Sequence, residues 1–408
     1  MRLAPLTAAL LFACGGSKPG PPPATEAVSY HRDVAPILAR SCLGCHVEGG
    51  LAPFPLATYA QVKAQAAAIK SATQSRTMPP WHVDNSGACQ QYVDARWLTG
   101  DELATLSQWA DDGAPEGAAL PPPTPRALTA LTEVTTTLEL GLDYTPAGNG
   151  SDDYRCFIVD PAIGADAFLT AYQVNAGQPR EVHHVLLFGL TDPDAETQAQ
   201  MLDAAEPGPG YTCFGGPRVD SGFSVLAGWA PGAGATFYPQ GTGVRLSGGH
   251  KVVMQVHYNL ANGAAPDRTT VALTLKPSVD HEAMVLGLAD TGLDLPPHLA
   301  SITQGMTTTL TGTDTYHVLG VFPHMHTLGR TMRVERARGA STECLVDVPH
   351  WDFHWQQFYF YQQPFDVVPG DAVTLECGFD TSSSDTEVKW GEGTSDEMCL
   401  AGFYVTKN

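Results

Sequence analysis

The sequence predicts a mainly β protein in which a small helical domain precedes two tandem antiparallel β-sandwiches of the jelly-roll type. Before residue 119, "TYAQVKAQAAAIKSAT" and "TGDELATLSQWADDG" show the apolar spacing of helices, and Thr99 or Asp101 can cap the second. After residue 129, short apolar runs such as "KVVMQVHYNL" and "TMRVERAR" alternate with Gly, Pro, Asn and Asp, as strands and turns do. About 280 residues with this alternation of strands and turns are enough for two sandwiches.

The composition argues against two classes of partner. The chain has 408 residues, 43% of them hydrophobic, and a formal net charge of −21. Nucleic acids and anionic membrane surfaces are bound through basic patches. We therefore expect no nucleic-acid partner and no basic membrane-binding face.

The N-terminal segment, residues 1–27, predicts export from the cytoplasm. Arg2 precedes an apolar run that is too short to span a bilayer. The run ends in "LFAC", which resembles a bacterial lipobox, and the Gly- and Pro-rich stretch after it is suited to a flexible tether. An ordinary cleaved secretory signal is the alternative. We expect an exported bacterial lipoprotein that faces the periplasm or the cell surface and is anchored through a lipid on Cys14.

The segment "CLGCH" (42–46) carries the C-x-x-C-H motif of c-type haem attachment. The thiols of Cys42 and Cys45 bond the haem vinyl groups, and His46 supplies an axial iron ligand. A chance C-x-x-C or a disulfide loop is the alternative. The motif predicts one covalently attached haem c.

The sixth iron ligand must come from further along the chain. Met78 in "TMPPW" is the first candidate, and His82 is the second. Residues 28–118 resemble the small cytochrome c domains of exported bacterial proteins. A proline-rich break that contains "ALPPPTPRAL" makes residues 119–129 a linker.

Histidines cluster in three strand-like segments after the linker: His183 and His184 in "EVHHVLLF", His257 in "MQVHYN", and His324 and His326 in "PHMH". A single such histidine is usually a satisfied core residue. Five of them without Asp or Glu at ligand spacing favour a metal, and imidazole suits Zn, Cu, Fe and Ni. Residues two apart on a strand share a face, whereas the adjacent pair requires a bulge. A thioether ligand such as that of Met398 favours copper.

Other residues near these clusters receive simpler interpretations. We expect Met325 to pack on the opposite face from its neighbours, and His317 to serve as core or structural support. The aromatic segment 350–361 is interpreted as core or pocket wall. Six histidines are expected not to be ligands: His31, His250, His281, His298, His350 and His354.

From about residue 130 to 408, these clusters and the "DEMC" segment around Met398 resemble the copper type II, ascorbate-dependent monooxygenases, which include the peptidylglycine and dopamine hydroxylases. The resemblance implies two copper-binding β-sandwich domains, residues 130–277 and 278–408. The implied ligands of the electron-transfer copper are His183, His184 and His257, and those of the oxygen-activating copper are His324, His326 and Met398. The implied disulfides are Cys156–Cys213 and Cys377–Cys399.

The resemblance also implies a reaction, the hydroxylation of an sp³ C–H bond of a small organic substrate with O₂. Electrons come from an ascorbate-like reductant or a periplasmic donor, with the haem as a further carrier. Two positions depart from the peptide-hydroxylating members, where an arginine and a tyrosine hold the substrate carboxylate. Here these positions are Phe322 and Gly402. We therefore do not expect peptide amidation, and Phe322 weakly indicates an apolar or aromatic substrate.

The sequence does not decide the state of two cysteines or exclude two alternative functions. Cys89 and Cys344 either pair across the interface between the helical and β parts or remain free. A non-catalytic lipoprotein that carries electrons through copper and haem is the alternative function. A surface adhesion or carbohydrate-binding sandwich is a third, which predicts no copper.

Overall fold

A computed structural model describes residues 26–50, 52–126, 129–147, 152–231, 233–260, 263–391 and 396–407. The predicted signal segment and the lipidation site at Cys14 lie outside these residues. The described chain is mainly β, as the sequence predicted. Among the described residues, no helix combines the length and the apolar content needed to cross a bilayer.

The helices of the N-terminal part are short and pack around aromatic side chains. They are a π-helical turn Tyr30–Val34, α1 (Ala35–Ser41), α2 (Tyr59–Ala64), α3 (Ala66–Gln74) and α4 (Gly100–Asp111). A capping box starts α4, in which Thr99 accepts from the backbone N–H of Glu102 and Glu102 accepts from that of Thr99. The prediction of a cap at Thr99 is confirmed. Trp109 is fully buried in this small core beside Tyr30.

The first sandwich consists of two facing sheets and one helix. Its strands are β1 (Thr136–Glu139), β2 (Asp152–Val159), β3 (Ala167–Asn175), β4 (Val182–Leu190), β5 (Tyr211–Thr212), β6 (Phe223–Trp229), β7 (Thr236–Phe237), β8 (Thr242–Leu246), β9 (Val252–Asn259) and β10 (Thr270–Lys276). Helix α5 (Pro193–Ala205) connects β4 to β5. One sheet has the order β5-β2-β9-β4-β6, and the other contains β1-β10-β3-β8 with β7 paired to β3.

The second sandwich follows with the strands β11 (His281–Ala289), β12 (Asp294–Leu295), β13 (Ile302–Thr309), β14 (Tyr316–His324), β15 (Gly329–Arg338), β16 (Ser341–Val348), β17 (Tyr359–Val367), β18 (Ala372–Phe379), β19 (Val388–Lys389) and β20 (Leu400–Lys407). One sheet has the order β13-β18-β15-β16, and the other contains β11-β20-β14-β17. The short strands β12 and β19 pair with each other.

The two sandwiches share a continuous sheet, which the sequence did not predict. Strand β8 of the first sandwich pairs in parallel with β11 of the second, from His281 opposite Thr242 to Ala283 opposite Val244. The sheet therefore runs from β1 to β17 through both domains. Hydrogen bonds and packing across this junction fix the relative position of the sandwiches, and Phe322 and Tyr404 of the second join the hydrophobic core of the first.

The helical part is docked firmly on the second sandwich. The backbone N–H of Asp84 donates to Asp347 O at 2.7 Å, and that of Val93 donates to Phe360 O at 2.8 Å. Tyr92 is fully buried in the core of that sandwich. A disulfide joins Cys89 to Cys344, which settles the state of these two cysteines. The chain between α3 and α4 is thus part of the second sandwich's surface and core.

The Cys89–Cys344 disulfide generates a stability prediction. Replacing both residues by serine, which leaves no unpaired thiol, should lower the free energy of unfolding by about 2–5 kcal/mol. The loss should be local at first, so limited proteolysis should cut residues 77–97 faster than in the unaltered protein. Cleavage within the first sandwich serves as the internal control. Equal proteolysis of residues 77–97 in both proteins would contradict the clamping role.

Candidate metal centres

The first histidine cluster lies on two paired strands of the first sandwich. His183 and His184 are on β4, and His257 is opposite His184 on β9. The pairing register shifts between Val182 and His184, which is the bulge that the sequence predicted. As a result, both adjacent imidazoles turn toward His257. One potential ligand atom from each of the three lies within 4.8 Å of the others.

In His257 and in His183, one ring nitrogen stays available to bind a cation. His257 Nε2–H donates a hydrogen bond to a carboxylate oxygen of Asp152 at 2.7 Å, so His257 Nδ1 presents a lone pair. That atom lies 3.2 Å from His184 Nδ1. His183 Nδ1 is buried and has no hydrogen-bond partner. Burial lowers the pKa of His183 to about 3, which keeps the ring neutral, as a metal ligand must be.

The second cluster lies where β14 and β20 meet. His324 ends β14 and is paired with Leu400, the first residue of β20. Met398 lies two residues before β20, and its neighbour Glu397 accepts a hydrogen bond from the backbone N–H of His326, which brings this segment next to the second histidine of the cluster. The rings of His324 and His326 are 5.2 Å apart, and all three side chains are buried.

The imidazoles of the second cluster are fixed by hydrogen bonds on their outer nitrogens. His324 Nδ1 donates to Gln356 Oε1, and His326 Nδ1 donates to the Asp396 carbonyl, both at 3.0 Å. Because Nδ1 carries the proton in each ring, each Nε2 presents a lone pair. Both Nε2 atoms are buried and lack a hydrogen-bond partner. Burial lowers the pKa of His324 to about 3, so this ring is also neutral.

A carboxylate next to Met398 organises this cluster, and sequence reasoning missed it. Glu397 accepts hydrogen bonds from the backbone N–H groups of His326, of Leu328 at 2.9 Å, and of Met398 at 3.0 Å. It thereby ties the Met398 segment to the segment after β14. Burial raises the pKa of Glu397 to about 7, against the opposing effect of these hydrogen bonds. No sequence spacing indicates this role, because about 70 residues separate Glu397 from His326 and Leu328.

Aromatic rings occupy the space between the two clusters. The ring centroid of Phe353 is 6.0 Å from His326 and 6.4 Å from His184. Phe214 lies 4.8 Å from His326 and stacks on Phe353 at 5.0 Å. Tyr154 stacks on His257 at 4.1 Å. Phe353 and its neighbours in 350–361 thus form core and pocket wall, as the sequence predicted.

The C-x-x-C-H segment lines a cavity of about 770 Å³, a volume within the range of cofactor pockets. Cys42, Cys45, His46 and Met78 all contribute to its wall. His46 Nδ1 donates to the Phe54 carbonyl at 3.0 Å, which leaves Nε2 available to a metal. Both cysteines are free thiols, whereas the other described cysteines form disulfides.

His82 is not in this wall. Its ring lies 5.1 Å from Trp351 and lines a separate cavity of about 230 Å³. Neither ring nitrogen of His82 has a hydrogen-bond partner, and burial lowers its pKa to about 4. The structure therefore groups Met78, and not His82, with the C-x-x-C-H segment.

The disulfides that the resemblance implied are present in the structure, Cys156 with Cys213 and Cys377 with Cys399. The Cys377–Cys399 disulfide joins β18 to the residue that precedes β20, and Cys399 is the neighbour of Met398. Met325 is fully buried in the core of the second sandwich, in agreement with its expected packing role.

The core alternative for His317 is wrong, since its side chain is 38% exposed. Its ring pairs with Asp366 on the neighbouring strand β17 at 2.7 Å, which agrees with the alternative of structural support. Phe322 is buried in the core that joins the sandwiches, opposite Gly402 on β20. Its ring lies 5.1 Å from that of Phe358 and 6.5 Å from that of His324 in the second cluster. Packing in this core accounts for an apolar residue at this position.

Two family models match the β part of the chain. The model of the copper type II ascorbate-dependent monooxygenase N-terminal domain matches residues 143–265, and that of the C-terminal domain matches residues 283–406. Together they cover more than half of the chain. Each match contains one of the two histidine clusters.

Two relatives match about 60% of this chain at about 25% sequence identity. Peptidyl-glycine alpha-amidating monooxygenase A from Xenopus laevis is 25% identical over 261 residues, which cover 61% of this chain and 26% of that protein. Dopamine beta-hydroxylase from Rattus norvegicus is 26% identical over 274 residues, which cover 60% of this chain and 42% of that protein. The chain thus spans less than half the length of either relative.

Among solved structures, PNGase F from Flavobacterium meningosepticum matches 67% of this chain and 96% of its own. It is 10% identical, with a TM-score of 0.27. That score is too low to indicate a shared arrangement of strands.

The three backbone hydrogen bonds to Glu397 generate a prediction. Glu397→Ala should lower stability, since each buried N–H that loses its acceptor costs about 1–3 kcal/mol. The backbone amides of His326, Leu328 and Met398 should exchange with solvent faster, as measured by hydrogen–deuterium exchange. Glu397→Gln keeps one acceptor oxygen and should retain part of the protection. Unchanged exchange at these amides in the alanine variant would contradict the role given to Glu397.

Proposed function

Because the chain belongs to the copper type II ascorbate-dependent monooxygenase family, we propose that it hydroxylates an sp³ C–H bond of a small organic substrate with O₂. One observation carries the proposal: the two matched domains each hold a buried histidine cluster with unpartnered ring nitrogens. Buried polar atoms without partners are rare in proteins and indicate a bound ion or ligand. Two copper ions are the cofactors that this family uses.

The two clusters offer copper different donor atoms. The first has three imidazoles, from His183, His184 and His257, and the second has two imidazoles and the thioether of Met398. Thioether sulfur is a soft donor that favours Cu(I) over Cu(II). When bound, copper supplies the one-electron chemistry and the O₂ activation that hydroxylation requires. We assign oxygen activation to the second cluster and electron transfer to the first.

The surrounding residues prepare the clusters for this task. Asp152, Gln356 and the Asp396 carbonyl hold protons on the outer nitrogens, so each inner nitrogen is ready to bind without losing a proton. Phe214 and Phe353 place stacked apolar rings beside both clusters. Apolar surroundings suit a reactive oxidant, which must be protected from side reactions with water.

Two residues bear on the class of substrate, because they lack the groups that would bind a carboxylate. Phe322 and Gly402 stand where the peptide-hydroxylating members have an arginine and a tyrosine, and they pair with each other across β14 and β20. Neither offers a charge or a hydroxyl to a substrate carboxylate. We therefore propose a small organic substrate other than a peptide C-terminus.

We also propose that residues 28–118 bind haem c, attached to Cys42 and Cys45 with His46 and Met78 as axial ligands. The residues present fit this group. The cavity is large enough, both thiols are free, and the His46 tautomer leaves Nε2 for iron. Arg40, Arg96, Arg126 and Arg180 line the same cavity and give its wall a positive character that suits the two haem carboxylates, although Arg40 is paired with Glu102 and Arg126 with Asp94. When bound, haem supplies a one-electron carrier between an external reductant and the copper sites.

The proposed location is the periplasm or cell surface of a bacterium, with the chain anchored through Cys14. The lipobox-like segment supports this proposal. Three disulfides within the described residues also suit an oxidising compartment. An ascorbate-like or periplasmic reductant would have access to the protein there.

The function is tested by metal content and oxygen consumption. Protein produced with haem maturation and dialysed with copper should contain two copper ions and one iron per chain, measured by elemental analysis. Met398→Ile should retain the copper of the first cluster and lose oxygen consumption coupled to oxidation of small organic substrates with ascorbate. Met284→Ile, on the exposed face of β11, is the matched control and should keep full activity.

Other results of these two measurements would distinguish the monooxygenase from the alternative functions. Two copper ions without substrate-coupled oxygen consumption would support the electron-transfer lipoprotein. A chain that binds no copper would refute both copper functions. Full activity of Met398→Ile would refute the assignment of oxygen activation to the second cluster.

The axial haem ligands give a further prediction. Met78→Ala should convert the haem iron to a five-coordinate, high-spin state, seen by absorption and magnetic circular dichroism. His82→Ala should keep the six-coordinate spectrum, because His82 lines a different cavity. The reverse pattern would identify His82 as the ligand, and a chain without covalent haem would refute the haem proposal.

A further inference from the structure

The 770 Å³ cavity has two walls that belong to different domains. One wall carries the C-x-x-C-H segment and Met78. The opposite wall comes from the sandwiches and includes His183 and Trp355. Any group attached to Cys42 and Cys45 is therefore enclosed partly by the copper-binding domains.

Of the six proposed copper ligands, His183 alone lines this cavity. Its ring contacts that of Trp355 with centroids 4.9 Å apart and planes at 50°. Trp355 faces both cavities, the large one and the smaller one near the second cluster. The indole thus lies against a ligand of the first cluster and within the wall of the proposed haem pocket.

The two walls are held at a fixed separation. The Cys89–Cys344 disulfide and the backbone bonds of Asp84 and Val93 join the helical part to the second sandwich. Arg96 reaches from the helical part to the carbonyl of Pro231 at 3.2 Å and to Gln357 Oε1 at 3.4 Å, and so contacts both sandwiches. A rigid, short contact is what rapid electron transfer between two bound groups requires.

We propose that Trp355 is the contact through which an electron passes from the haem to the copper held by His183, His184 and His257. The inference rests on the proposed function. In this step ferrous haem becomes ferric and Cu(II) becomes Cu(I), while no bond forms or breaks and no proton moves. It assigns the first cluster, and not the second, as the entry point for electrons.

The test follows electron transfer directly and does not depend on turnover. The haem-containing protein with both copper sites in the Cu(II) state is mixed without oxygen with less than one equivalent of dithionite. Stopped-flow absorption then records reoxidation of the ferrous haem, and electron paramagnetic resonance records the loss of the Cu(II) signal. The unaltered protein should show a fast phase of haem reoxidation that matches the loss of the three-histidine Cu(II) signal.

Three variants separate a contact role from a structural one. Trp355→Leu should lose the fast phase while its haem content, copper content and resting spectra stay unchanged. Trp355→Phe, which keeps an aromatic ring against His183, should restore much of it. Phe168→Leu, which changes an aromatic residue of β3 that lines neither cavity, is the matched control and should keep the fast phase.

The outcomes separate this inference from the function on which it rests. A fast phase that survives in Trp355→Leu would overturn the role of Trp355 while leaving the monooxygenase proposal intact. Fast loss of the second cluster's Cu(II) signal before that of the first would overturn the assigned entry point. Failure of the unaltered protein to bind copper or haem would overturn the proposed function and this inference together.

Discussion

The architecture of the metal centres depends on buried imidazoles whose outer nitrogens donate hydrogen bonds to fixed acceptors. Asp152, Gln356 and the Asp396 carbonyl each fix the proton of one ring on the outward side, so the lone pairs point inward. An unpartnered polar atom in a protein interior costs about 1–3 kcal/mol. The β scaffold bears this cost in the absence of metal: the first cluster lies on the paired strands β4 and β9, and the second lies at the end of β14 and just before β20.

The scaffold also sets where the clusters lie relative to each other. The parallel pairing of β8 with β11 makes one sheet of two sandwiches, and aromatic rings fill the space between the clusters. The helical part is connected to the same framework through Cys89–Cys344 and Tyr92. Sites contributed by three parts of the chain are thereby kept in one rigid arrangement, without dependence on a flexible linker.

Sequence reasoning identified the features that have local signatures. The bulge at His183–His184, the cap at Thr99 and the burial of Met325 each follow from a short spacing or a strand period. It failed where the determinant is a contact between distant segments. Glu397 serves residues some 70 positions away, His317 is exposed and pairs with Asp366 on the neighbouring strand, and Phe322 packs between domains. The join between β8 and β11 has no local signature either.

The place of Trp81, Val83 and Tyr92 bears on how such a chain can be divided. These side chains precede the proline-rich linker, yet all three are buried in the hydrophobic core of the second sandwich. A chain that began after the linker would leave that core with an open cleft lined by apolar groups. The helical part and the second sandwich therefore depend on each other for a complete hydrophobic core, and neither can be removed at the linker without exposing apolar side chains.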